Sequence, residues 1–513
     1  MADDFSVACH IFYVIMFFMK NYEKRYSGII MPISSLSSRY GIGTFGKAAY
    51  EYADFLKASG QKYWQVLPLG PTSYGDSPYQ SFSTFAGNPY FVDLDMLIED
   101  GLLTEDEVVS RNWGDDPRHV DYGQIYVNRL AVLSIAKKRG WQKDADEIDA
   151  FVQENRGWLE SYARFMALKR LNDMAPWNVW KKDGNDPGDR QQVGEDIELF
   201  TYIQFLFFRQ WTKLKKYIND LGILVIGDLP IYVAMDSADV WAEPELFKIG
   251  KDFVPEVVAG VPPDYFDENG QLWGNPIYNY EKMKSTGYEW WIRRVGAATK
   301  LFDMIRFDHF RGFASYWEVP YGETTAKNGH WVKGPGMDLV GTLTSWFHGT
   351  KFVAEDLGDL TPDVYELLDA SGLPGMKVLE FAFGSTADND YLPHRYRRDC
   401  VCYAGSHDNA PLKLWKEQED PKVIKYAEEY LGINEKEGFN LGVIRGGMSS
   451  IATLFITQMQ DWLELGEGCR MNCPGNPYGN WQWRMLPEEA DAELAEKIFE
   501  ITRRYGREAG SED

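Results

Sequence analysis

The stretch Met304-Ile305-Arg306-Phe307-Asp308-His309-Phe310-Arg311-Gly312-Phe313 places an arginine and a carboxylate two residues apart at the end of an apolar run. Side chains alternate along a strand, so Met304, Arg306 and Asp308 share one face while Ile305 and Phe307 share the other. A guanidinium beside an aspartate is expected to keep it ionised at low pH. Such a carboxylate suits a nucleophile better than a proton donor. Gly312 is where the chain is expected to turn away from the charged cluster.

Three further apolar runs close in the same manner. They are Ile223-Leu224-Val225-Ile226-Gly227-Asp228, Phe352-Val353-Ala354-Glu355-Asp356 and Val401-Cys402-Tyr403-Ala404-Gly405-Ser406-His407-Asp408-Asn409. Near-continuous apolar runs mark parallel strands covered on both faces, and barrel enzymes carry their chemistry where such strands end. Acids after strands also serve as helix N-caps. Four such ends, one with a basic partner in register, instead offer Asp228, Arg306 with Asp308, Glu355, and His407 with Asp408 to one mouth.

Residues 28–32 read as a first strand, 48–59 as an amphipathic helix closed by Gly60, and 63–70 as a second strand. Residues from about 94 to 221 read as mostly helical and delay the third strand beyond a normal crossover, which predicts an inserted helical subdomain. A second insertion, loop-rich, is expected over about 240–280. Strands then recur near Met304, Phe352, Met376, Val401 and Cys469. Eight strands in this order predict the α/β class, one (β/α)8 TIM barrel over residues 27–505 with the two inserted subdomains and a tail at 506–513.

The apolar run from Ile11 to Met19 is too short to span a bilayer and follows Ala2-Asp3-Asp4, the wrong charge for a secretory leader. Residues 1–26 are therefore expected to be a dispensable extension, with Met16 or Met19 as the true start, and the protein to be cytoplasmic. Lys+Arg 53 against Asp+Glu 77 gives a net charge of -24, which argues against nucleic acid and anionic membranes as partners. Many of the 18 Trp and 30 Tyr residues sit among Gly, Pro, Asp and Asn, where a flat ring beside hydrogen-bonding groups suits the apolar face and hydroxyl rim of a sugar. Cys9, Cys400, Cys402, Cys469 and Cys473 match neither a disulfide framework nor a zinc pattern. No metal or other cofactor is expected.

Cleaving a glycosidic bond with retention requires a nucleophilic carboxylate and an acid/base carboxyl about 5 to 5.5 Å apart. Asp308 fits the first role, and Glu355 the second if a closed site raises its pKa. Asp408 would grip sugar hydroxyls, and His309 and His407 offer hydrogen bonds to them. Long motifs then carry a specific resemblance: residues 63–70 (YWQVLPLG), 76–81 (DSPYQS), 227–233 (GDLPIYV), 274–276 (GNP), 306–313, 354–358, 374–379, 407–409 (HDN) and 479–484 (GNWQWR). In these the chain resembles the 4-alpha-glucanotransferases of the amylomaltase, or disproportionating enzyme, family (glycoside hydrolase family 77), relatives of the α-amylases.

The resemblance implies Asp308 as nucleophile, Glu355 as general acid/base and Asp408 as transition-state stabiliser. It implies substrate binding by Tyr79, Asp228, Arg306, His407, Trp273 and Asn275, with Tyr74 at a secondary glucan groove. The partners it implies are α-1,4-glucans, maltooligosaccharides and glucose, for a monomer or homodimer. Glu380 stands where relatives often carry glutamine, Ser406 where threonine is usual, and Ala410 where a polar residue is frequent. The expected reaction is transfer of a glucan segment to a 4-hydroxyl. The same carboxylates would serve an α-glucan hydrolase of the amylase type, and a noncatalytic glucan-binding protein is the remaining alternative.

Overall fold

The computed structural model describes residues 24–510 apart from 264–267, 359 and 477, and the side chain of Tyr74 also lies outside the description. Most of the expected N-terminal extension thus falls outside the described residues. Twelve strands occur among the described residues: β1 (Tyr26–Ile30), β2 (Tyr63–Gln65), β3 (Leu224–Leu229), β4 (Val257–Val261), β5 (Gln271–Pro276), β6 (Met304–Phe307), β7 (Ser315–Pro320), β8 (His330–Lys333), β9 (Lys351–Ala354), β10 (Gly375–Val378), β11 (Cys400–Tyr403) and β12 (Leu454–Gln458).

Eight of them form one sheet in the order β10-β11-β12-β1-β2-β3-β6-β9, with every paired neighbour parallel. At the seam between β9 and β10 the Ala354 N–H donates to Pro374 O at 2.9 Å, and the Met376 N–H donates to the Asp356 carboxylate at 2.5 Å. The Asp356 side chain thus stands in for a ladder carbonyl and brings the sheet round into a (β/α)8 barrel. Alternation sorts the side chains as the sequence predicts. Ile226, Met304, Val353 and Tyr403 fill the barrel, whereas Val225, Ile305, Phe307, Cys400 and Cys402 pack outward in the layer shared with the helices.

One expectation is corrected. The eighth barrel strand is not near Cys469 but at Leu454–Gln458, a run that ends in an amide and lacks the acidic close of β3, β6 and β9. The segment expected as a loop-rich insertion over about 240–280 also carries β4 and β5, which join β7 and β8 in a four-stranded antiparallel sheet ordered β5-β4-β7-β8. Its pairing depends on strands from beyond β6, which local pattern cannot reveal. Between β2 and β3 the chain runs through the long helices Tyr122–Gly140, Ala145–Leu171 and Pro187–Asp220.

Residues that the sequence assigns to the extension and the tail belong to the floor of the barrel. Arg25 donates to Ser450 O at 2.5 Å and Tyr505 O at 2.7 Å, and Tyr26 opens β1. Arg507 is fully buried and donates to the carbonyls of Met448 (2.8 Å), Tyr26 (2.9 Å), Ser450 (2.9 Å) and Ala452 (3.0 Å). Replacing it by methionine removes the Arg507 donor from all four carbonyls, and although Ser450 O keeps Arg25, each buried acceptor left unmet costs about 1–3 kcal/mol. Arg507→Met is expected to lower the melting temperature by about 5 °C or more, read by calorimetry, with activity at 25 °C unchanged because the floor lies at the opposite end from the site below.

Candidate active site

Register places Asp228 of β3 directly beside Arg306 of β6, and the guanidinium is the hub of the barrel mouth. One Arg306 terminal nitrogen donates to Asp228 Oδ2 at 2.5 Å and to Asp308 Oδ1 at 3.0 Å, and the other faces Glu355 Oε2 at 3.8 Å. The Tyr79 hydroxyl donates to the same Asp228 oxygen at 2.7 Å. The side chain of Asp228 has no exposed surface, against 24% for Asp308 and 43% for Asp408. A molecule entering the mouth therefore meets Asp308 and Asp408, while Asp228 fixes Arg306 and Tyr79 from beneath.

Glu355 directly follows β9. Its Oε2 accepts the His309 N–H at 2.6 Å and its Oε1 accepts the Leu357 N–H at 3.2 Å. The turn that aims the His309 N–H is made by His309 itself, at φ 50, ψ 49, a left-handed conformation unfavourable for a residue with a side chain. Gly312 is not the turning residue. It packs closely, since a Cβ there would lie 2.7 Å from Ile231 Cδ1 at the end of a flexible side chain.

Burial raises the Glu355 carboxyl to about 7, against the pull of Arg306 and the two N–H donors. For Asp308 the expectation of an acid held ionised to low pH is corrected. Burial pushes it up, and Arg306, which pulls it down, is shared with Asp228 and Glu355, whose charges push it up further. Burial, with Arg311, lowers His309 to about 3, and burial also lowers His407, so both rings are neutral at neutral pH and serve as hydrogen-bonding groups.

His407 stacks on Tyr79 with centroids 5.1 Å apart, and Trp481 is tilted against Tyr79 at 5.7 Å. Asp408 is held by the Asn472 amide, donating to Oδ1 at 2.6 Å, while Arg470 donates to its backbone carbonyl at 2.5 Å. Trp273 stands edge-on to His309 at 4.8 Å, on the same rim. Asn275 is not brought to the carboxylates: its amide donates to Val233 O at 2.9 Å and its oxygen accepts from Gln80 at 3.3 Å, bracing a loop. Tyr74 lies in the short helical turn Tyr74–Asp76. Among the described residues no group of three or more His, Cys, Asp or Glu side chains is arranged to hold a metal ion.

A family model for glycoside hydrolase family 77, described as 4-alpha-glucanotransferase, matches residues 31–489. The chain belongs to the 4-alpha-glucanotransferase family. It is an enzyme of glucan transglycosylation. The 4-alpha-glucanotransferase of Clostridium butyricum is 47% identical over 485 residues, 93% of this chain and all of that one, and that of Thermus thermophilus 43% over 488 residues, 92% and 97%. An amylomaltase from Streptococcus agalactiae, solved in complex with acarbose, superposes with a TM-score of 0.91 at 40% identity, covering 94% of this chain and 100% of that one. The Corynebacterium glutamicum amylomaltase shares the fold at a TM-score of 0.77 and 19% identity, covering 95% and 76%.

Within this family framework the site adds residues that sequence reasoning gives no role: Asn472 and Arg470 behind Asp408, Trp481 beside Tyr79, and Met376, whose sulfur lies 3.2 Å from Arg306 Nε. Asn472 and Arg470 lie in a Cys- and Pro-containing loop after the last strand, and only their position after a barrel strand could have flagged them. Arg306→Lys replaces a planar fork by a point charge that cannot reach three carboxylates at once. The expected result is a loss of about 10²-fold or more in transfer rate, measured on maltotriose, with the fold retained by circular dichroism.

Proposed function

We propose that the site moves a segment of an α-1,4-glucan to the 4-hydroxyl of glucose or another glucan by a retaining double displacement. One observation carries the reading: a single buried guanidinium touches Asp308 and lies within ionic reach of Glu355, so two carboxyls stand on one support in different environments. That arrangement fits the close carboxyl spacing of a retaining site. The acarbose held by the Streptococcus agalactiae relative supports a sugar in this mouth.

Asp308, the more open acid, attacks the anomeric carbon while protonated Glu355 delivers its proton to the departing glycosidic oxygen. The C–O bond to the leaving glucan breaks as the ester to Asp308 forms. Glu355, now a carboxylate, takes the proton from the acceptor 4-hydroxyl, and that oxygen displaces Asp308. Asp408, fixed by Asn472, faces the positive charge that develops on the sugar in both steps. Tyr79, His407 and Trp273 supply ring faces and neutral hydrogen-bonding groups around it. With water as acceptor the same steps give hydrolysis, so maltotriose separates the readings: transfer yields longer oligomers, hydrolysis only shorter ones. The reading includes a cytoplasmic setting, which the free thiols of Cys400, Cys402, Cys469 and Cys473 support.

Asp308→Asn keeps size and hydrogen bonding but forms no ester. It is expected to lose about 10⁴-fold or more in turnover while still binding maltooligosaccharide in a calorimetric titration. A mutant retaining a tenth of the rate would remove Asp308 from the covalent path.

Glu355→Gln is expected to be inactive on maltotriose yet to accept an activated glycosyl fluoride, with the sugar found on Asp308 by mass spectrometry. In the wild type, formation of the glycosyl-enzyme from maltotriose requires the protonated acid. Its single-turnover rate should therefore fall as pH rises through about 7. With the fluoride, which needs no proton, that fall should vanish.

A further inference from the structure

Behind the turn that carries His407 and Asp408 lies a second set of acids with no part in the steps above. Glu380 follows β10 in the short helical turn Leu379–Phe381, and its side chain is buried. Its carboxyl faces the side chain of Asn409. The Asn409 oxygen accepts the Ser406 N–H at 3.0 Å and the Ser406 hydroxyl at 2.8 Å, which ties the two ends of the turn together. Ser406 Oγ in turn accepts the Asp408 N–H at 3.3 Å.

The carboxyl also packs on the main chain of this turn. A Cβ at Gly405 would lie 2.5 Å from Glu380 Oε1 and 3.1 Å from Gln458 Nε2. Gln458 holds the far end of the turn by donating to Ala410 O at 3.4 Å. Glu380 Oε1 and Gln458 Oε1 are both buried without a hydrogen-bond partner. Two such acceptors in one small space are costly unless one becomes a donor, and a proton on Glu380 makes it one.

The charged groups around Glu380 favour that proton. Asp461 faces it from the short helix Met459–Trp462, Glu419 from the end of helix Leu412–Gln418, and Arg470 from the loop beyond β12, so two acids oppose one cation. Burial is the largest influence and raises the Glu380 carboxyl well above the usual range. Asp461 and Glu419 add to this, while Asn409 and Arg470 oppose it.

We propose that Glu380 is a positioning residue: as a neutral carboxylic acid it braces the turn 406–409 from behind and thereby fixes where Asp408 and His407 stand against the sugar. The proposal rests on the role given to Asp408 above. It acts through Asn409 and Ser406 and needs no contact with the glucan.

The sign of the pH dependence follows. A carboxyl whose pKa is raised by folding stabilises the native state fully below the unfolded carboxyl pKa, and that contribution is lost as pH rises through the folded value. Glutamine, neutral at every pH, suffers no such loss. The test uses the full chain as wild type, Glu380→Gln and Glu380→Leu. The melting temperature of Glu380→Gln relative to wild type is expected to rise by about 3 °C or more between pH 5 and pH 8.

On maltotriose, Glu380→Gln should keep kcat within about twofold, whereas Glu380→Leu should lose about tenfold in kcat with KM changed less than about twofold. A melting difference that does not grow with pH overturns the proposal, and so does a Glu380→Gln enzyme as impaired as the leucine variant. The melting series on Glu380→Gln decides the protonation state even if Glu380→Leu fails to fold. An active Asp408→Asn enzyme would instead overturn the reading of Asp408 and leave the melting result standing, so the two failures are distinguishable.

Discussion

A cation sealed in the mouth of an acidic barrel organises this molecule. Arg306 is 3% exposed and shares its charge among Asp228, Asp308 and Glu355. Removing such a group from water is unfavourable unless its hydrogen bonds are met, and here adjacent strands meet them in register. The barrel must close for the three acids to converge, and their convergence makes the buried guanidinium tolerable. Asp228, fully sealed, takes the strongest share and also anchors Tyr79. What is left of the cation's field reaches the two carboxyls that face the mouth.

The division of labour between those carboxyls comes from surroundings, not from residue type. Glu355 accepts two backbone N–H groups and still has a pKa of about 7, because burial outweighs them. One donor is the N–H of His309, delivered by a left-handed residue at the end of β6. Strain of this kind persists only where the surrounding structure enforces it. Here the edge-on ring of Trp273 packs against His309, and the Glu355 carboxylate accepts its N–H. Asp308 is more open, and its charge is balanced by a cation it does not own. Asp408 stands on a separate support, a turn tied to Asn472 and Arg470 and closed by Ser406 and Asn409.

The support behind Asp408 differs in kind from that behind Asp308. The latter is ionic and belongs to the strands. The former belongs to a loop, in which the Asn472 amide, the Arg470 guanidinium and the Ser406–Asn409 bonds hold the turn and the buried Glu380 carboxyl lies behind it. Arg306 tolerates a change of pH because its own charge does not titrate in the working range. The turn at 406–409 has no such guarantee.

Much of this was legible in the chain. Period-two alternation at 304–308 puts Met304 on one face and Ile305 and Phe307 on the other, and the structure turns the first into the barrel and the second toward the helix layer. The acids at four strand ends announce one mouth, because parallel strands of a barrel all finish on the same side. The sequence also carries the family motifs, which lie in short segments next to strands.

What only the tertiary structure decided is what depends on partners remote in sequence. The eighth strand at Leu454–Gln458 carries no acidic close, the sheet of β4, β5, β7 and β8 pairs segments separated by a barrel strand, and Arg507 finds its carbonyls on β1 and before β12. Most of all, a pattern two residues long pairs Arg306 with Asp308, whereas in space its shortest bond is to Asp228 on another strand. Sequence names the charges, but burial and the sharing of one cation among three acids set their pKa values, and both exist only once the strands have come together.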